Sequence, residues 1–153
     1  DEMDPDADLV VVFGGTNDFG HGDAPMGTMD DRTPWTFYGA CHCLMSGLME
    51  RYCGKPVVIM TPLHRSEEES PEGDGSGRRM GNTALLCEYR RALMEVAAYY
   101  AFPVLDLFIT SGMQPRHPVS RERLMPDGLH PNDKGYDVMF NLIINALELN
   151  IVL

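Results

Sequence analysis

The stretch Leu9-Val10-Val11-Val12-Phe13-Gly14-Gly15-Thr16-Asn17-Asp18 decides the fold. Its first five residues are aliphatic or aromatic without a polar face, which marks a strand buried on both sides, as in a parallel sheet. Gly14 and Gly15 close the strand, and glycine admits φ > 0 and close backbone approach. Ligands of open parallel sheets bind at the carboxyl ends of the strands. Thr16, Asn17 and Asp18 therefore follow this strand where function is expected. Asn17 either offers its amide N–H to a developing oxyanion or joins Asp18 in an Asx-turn that merely ends the strand.

Working outward, residues 16–34 are rich in Gly, Pro and Asp and read as a loop. Over 36–52, Phe37, Cys41, Leu44, Leu48 and Tyr52 recur at helical spacing, with Gly54 placed to stop the helix. Residues 56–61 (Pro-Val-Val-Ile-Met-Thr) read as a second buried strand, ended by Pro62. The polar stretch 64–82 is too long for an ordinary connection, so it reads as either functional or mobile, the functional reading being a loop that shapes the mouth of the site. A helix over 83–100, a strand over 103–108, a proline-containing loop and a helix over 132–149 complete the chain. The order β-α-β-α-β-α predicts an open parallel sheet with helices on both faces, and residues 1–153 read as one domain. Three strands fall short of the usual four to six or so. The expectation is that an N-terminal βα portion is absent.

Composition narrows the classes of function. Twelve Lys and Arg against 23 Asp and Glu give a formal net charge of −11, which argues against nucleic-acid binding. No apolar run approaches the roughly 20 residues that span a bilayer, and no signal-peptide pattern opens the sequence. The cysteines are Cys41, Cys43, Cys53 and Cys87. A Cys-x-Cys pair on a helix points its thiols about 200° apart, so Cys41 and Cys43 read as apolar helix residues, no metal is expected, and a reducing, cytoplasmic setting is.

A second polar cluster, Asp127-Gly128-Leu129-His130-Pro131-Asn132, precedes the last helix. Across a tight Gly turn, a three-residue offset brings the Asp127 carboxylate to Nδ1 of His130, orienting the imidazole and stabilising its cation. Pro131 suits a first helical turn, where its missing N–H costs nothing. Taken alone, the cluster also reads as a turn and helix start with an exposed His130.

Gly15-Thr16-Asn17-Asp18 resembles the Gly-x-Asn-Asp block of the SGNH (GDSL-type) hydrolases, and Asp127-Gly128-Leu129-His130-Pro131 resembles their Asp-x-x-His block. The resemblance implies a flavodoxin-like, three-layer α/β/α fold with a parallel sheet. It also implies hydrolysis of carboxylic esters, often acyl groups on sugars or lipids, without a cofactor. By the same resemblance Asn17 is an oxyanion-hole donor beside Gly15, His130 the general base and Asp127 its orienting partner. The family's nucleophilic Ser and a further oxyanion Gly belong to blocks that precede Leu9, where eight residues stand. A βαβ unit needs roughly 30. The chain is thus expected to be inactive alone, its nucleophile lying in an absent N-terminal segment.

No other serine is expected to substitute. Gly73-Asp74-Gly75-Ser76-Gly77 echoes the nucleophile block but does not follow a strand, and Ser46, Ser111 and Ser120 lack context. His21 and His64 read as exposed or loop-stabilising residues, with substrate contact the alternative; Trp35, Phe37 and Tyr38 read as packing, and residues 67–69 as a solvated face. The competing function class is a non-catalytic flavodoxin-like module that keeps the pocket for binding. An open strand edge also offers self-association. A nucleotide-binding reading is disfavoured, because no Gly-rich phosphate loop opens a helix.

Overall fold

The computed structural model describes residues 3–22, 25–70 and 84–151. Strands β1 (Val10–Phe13), β2 (Val57–Met60) and β3 (Val104–Leu105) pair in parallel in the order β1-β2-β3. Val10 lies beside Val57, Phe13 beside Met60, and Ile59 beside Val104. The helices are α1 (Thr16–His21), α2 (Phe37–Arg51), α3 (Leu86–Tyr99), α4 (Leu107–Thr110), α5 (Pro118–Leu124) and α6 (Asp133–Ile151).

Parallel neighbours need crossovers, and α2 and α3 supply them. Both steps run the same way across the sheet, so with right-handed connections the two helices fall on one face, where they pack on each other. Thr36 starts α2 by accepting the Gly39 N–H at 3.1 Å, the usual N-cap device. The two-residue period of a strand then divides β2 between two cores. Val57 and Ile59 join Met45, Leu48, Leu93 and Val96 beneath α2 and α3. Met60 joins Leu63, Leu107, Met113, Met125 and Met139 of α6 on the other side. The result is the expected mixed α/β architecture, with helices on both faces of a parallel sheet. No helix among the described residues is long and apolar enough to cross a membrane.

The structure corrects four local expectations. Residues 16–34 do not begin as a loop, because Gly15, at φ 99°, turns the chain directly into α1. The third strand is only two residues long. Asp106 leaves the sheet to receive hydrogen bonds from Thr61 Oγ1 and Arg90 Nε, each at 2.9 Å, and α4 starts immediately after it. The proline-containing loop holds α5, whose Pro118 occupies the first turn.

Strand β1, finally, is buried on one face only. Val10 is in the core, whereas Val11 and Phe13 are 39% and 48% exposed. On that side of the sheet, Met139, Leu142 and Ile143 of α6 share a cluster with Met60 of β2 and Leu105 of β3, and no β1 residue joins it. The α6 side chains Tyr136, Phe140 and Ile144, spaced four residues apart, are exposed as well.

Candidate active site

The Asp127 turn is built by its own hydrogen bonds. Oδ1 accepts the backbone N–H of Leu129 at 2.8 Å and of His130 at 2.7 Å, and Oδ2 lies 2.7 Å from His130 Nδ1. Backbone donation from His130, its side chain and the Leu129 N–H together lower the Asp127 pKa to about 2. The ionised carboxylate can only accept, so it orients the ring by a hydrogen bond from Nδ1–H and leaves the Nε2 edge free of Asp127. The side chains of His130 and Asp127 are 71% and 56% exposed, so this pair is ordered by its turn and not by enclosure.

Linkage gives these contacts a sign. The folded pKa of Asp127 lies below its ordinary value of 3.8, so they add stability at higher pH that is lost as pH falls through about 2. Thermal melts of wild type and Asp127→Ala should differ by a constant interval at neutral pH. That interval should narrow as the pH is lowered from 3.8 towards 2.

Asn17 occupies the second position of α1, at the carboxyl end of β1. Its side chain forms no Asx-turn and makes no hydrogen bond to the described residues, so its amide donor is available. Gly15 lies just before it, buried, and its positive φ starts the helix at this point. A cavity of about 110 Å³ joins the two clusters: Thr16, Asn17, His64 and His130 supply polar groups. Phe13, Leu63, Leu129, Pro131, Tyr136 and Met139 supply the apolar wall. Larger depressions exist, one of about 430 Å³ around Met49, Tyr52, Lys55 and Phe102, but it opens at the amino ends of the strands and holds no acid–base pair.

The segment following β2 ties the halves together, and sequence reading missed it. Arg65 is buried, donates from Nη1 to the Thr16 carbonyl at 3.2 Å, and lies over the Phe19 ring. Ser66 N–H donates to the Gly128 carbonyl at 2.9 Å. Gly128 has φ 83°, and a Cβ there would collide with the Ser66 hydroxyl, so this turn requires glycine. Residues 64–68 thus brace the Asn17 helix on one side and the Asp127 turn on the other. The signal available in the sequence was only position, directly after a strand at the ligand end of the sheet.

The structure also sorts the other candidates. His64 holds Glu68 of its own loop through Nδ1 at 2.6 Å and also lines the cavity, whereas the exposed His21 does not line it. Among the described residues, no serine lines the cavity. Ser46 bonds Glu50, and Ser111 and Ser120 accept backbone N–H groups of Met113 and Gln114. Ser76 and the rest of its Gly-Asp segment lie outside the described residues, as does most of the 64–82 stretch. Cys41 is buried, which pushes its thiol up to about 12, while Cys43 is exposed. Among the described residues, no three His, Cys, Asp or Glu side chains gather as metal ligands would.

The mixed α/β architecture around a parallel sheet, with the Asp127–His130 pair and Asn17 near its strand ends, is an SGNH-type hydrolase fold. The chain belongs to the GDSL-like lipase/acylhydrolase family, whose pattern it matches over residues 1–138. Ester hydrolysis is the general chemistry of that family. A protein of known structure from Lactobacillus plantarum is 29% identical, with a TM-score of 0.85 over 96% of this chain and 69% of its own. A second solved structure is 35% identical, with a TM-score of 0.83 over 96% of this chain and 67% of its own. The lipase/acylhydrolase from Enterococcus faecalis shares the fold at 24% identity and a TM-score of 0.61, covering 94% of this chain and 62% of its own. No curated protein sequence matches the chain significantly.

Proposed function

We propose that this chain carries the acid–base pair and one oxyanion donor of a serine ester hydrolase, acting on acyl or acetyl esters of a carbohydrate, small lipid or other alcohol. The observation that carries this reading is one cavity lined by both His130, paired with Asp127, and Asn17. His130 Nε2 takes the proton of a serine as its oxygen attacks the ester carbonyl. It then returns that proton to the leaving alcohol, and water repeats the cycle on the acyl-enzyme. Asp127 holds the tautomer and stabilises the imidazolium that forms. Asn17 donates to the oxyanion of each tetrahedral intermediate.

The serine comes, in this reading, from outside these 153 residues, on a segment that covers the bare face of β1. Two observations support that placement. Among the described residues no serine lines the cavity, and the exposed Phe13 and Tyr136 form part of its wall. The test is hydrolysis of p-nitrophenyl acetate by the full-length protein and by His130→Ala, with the 153-residue chain in parallel. Activity is expected only in the full-length wild type. Equal rates in wild type and His130→Ala would contradict the reading, and binding of esters without turnover would favour a non-catalytic pocket.

A further inference from the structure

His64 lines the same cavity as Asn17 and His130, yet the steps above give it no part. Its imidazole is held on two sides. Nδ1 lies 2.6 Å from Glu68 Oε2, and the ring lies against Phe108 with centroids 3.6 Å apart. Glu68 is fixed in turn: it is buried, accepts the Arg65 N–H at 3.2 Å and Gln114 Nε2 at 3.3 Å, and has Arg116 Nη1 at 3.7 Å. Burial opposes its ionisation, but the hydrogen bonds from His64, Arg65 and Gln114 outweigh it and hold the carboxyl below the ordinary range. A carboxylate that binds one imidazole nitrogen determines which edge of the ring is left for a ligand.

We propose that His64 is a specificity residue whose Nε2 edge hydrogen-bonds a free hydroxyl of the substrate, so that the site selects esters of polyols and sugars over esters of simple alcohols. This rests on the ester-hydrolase reading. With Nδ1 on Glu68 and one face on Phe108, the Nε2 edge is what His64 can turn to the cavity. A hydroxyl both donates and accepts, so it pairs with that edge whether Nε2 is bare or protonated. A carbonyl only accepts. The neighbouring cavity wall at Leu63, Leu129 and Met139 offers no polar side chain to take its place. An ester that fills the cavity, expels water and brings no hydroxyl leaves Nε2 unpaired, and unpaired buried polar groups are what give a site strong discrimination.

The test compares kcat/KM of the full-length protein on glycerol monoacetate and on ethyl acetate, followed by pH-stat titration. In His64→Asn the side-chain amide falls near the Nδ1 position, keeping a donor for Glu68 while deleting the Nε2 edge. The glycerol-ester to ethyl-ester ratio is expected to fall about tenfold, the worth of one hydrogen bond of about 1.4 kcal/mol. His64→Phe, which keeps the packing on Phe108, should move the ratio the same way. A parallel fall on both esters, or an unchanged ratio in an active enzyme, overturns the assignment of His64 and leaves the hydrolase reading standing. If the full-length wild type hydrolyses neither ester, both fail together.

Discussion

Replacing His130 with Ala in the full-length protein is expected to lower kcat for p-nitrophenyl acetate by about 10⁴-fold or more, the loss typical of triad residues. The reason is a proton balance. A serine hydroxyl attacks an ester only if a base accepts its proton, and the same proton must then reach the leaving alcohol. The Asp127 carboxylate, whose pKa lies near 2, is too weak a base to serve instead. The fold should hardly notice the change. The His130 side chain is 71% exposed, and Asp127 Oδ1 keeps the backbone N–H groups at positions 129 and 130. Substitutions at such surface positions usually stay within about 0.5 kcal/mol. An activity loss at unchanged Tm would therefore report chemistry rather than unfolding.

Asn17→Ala is expected to reduce kcat by about 10²–10³-fold with KM nearly constant. In the proposed mechanism the Asn17 amide meets charge that exists only in the tetrahedral state, and removing a contact of that kind lowers kcat and kcat/KM together. Stability should hold or rise slightly, because the Asn17 side chain makes no hydrogen bond among the described residues and Ala is the better helix former. Asn17→Asp keeps the shape and replaces donors with a negative charge facing the oxyanion, so it should be at least as damaging. A change confined to KM in either variant would place Asn17 in ground-state binding.

The two turns at the centre of the site were legible in the sequence because their chemistry is local. Asp127 reaches the N–H groups at 129 and 130 across Gly128, and no distant residue is needed to form that arrangement. Strand β2 was equally legible, since it is apolar throughout and buried on both faces. What failed to show depends on partners far away in the chain. Residues 103–108 look like a strand, but Asp106 is drawn to Thr61 and Arg90, and the chain turns into α4. Val11 and Phe13 carry the composition of a doubly buried strand, yet composition does not reveal whether a neighbour covers them. Residues 64–68 looked like the start of a solvated loop. Arg65 and Glu68 are buried because they bond groups from α1 and from the segment before α5, contacts that no local pattern encodes.

In the proposed mechanism His130 and Asp127 serve a serine that lies outside these 153 residues. Labelling the full-length protein with a fluorophosphonate, which reacts with activated serines, and mapping the adduct by peptide mass spectrometry tests this directly. One labelled serine is expected, outside these 153 residues, and its labelling should disappear in His130→Ala. An adduct on a serine within residues 1–153, or labelling that persists without His130, would contradict it.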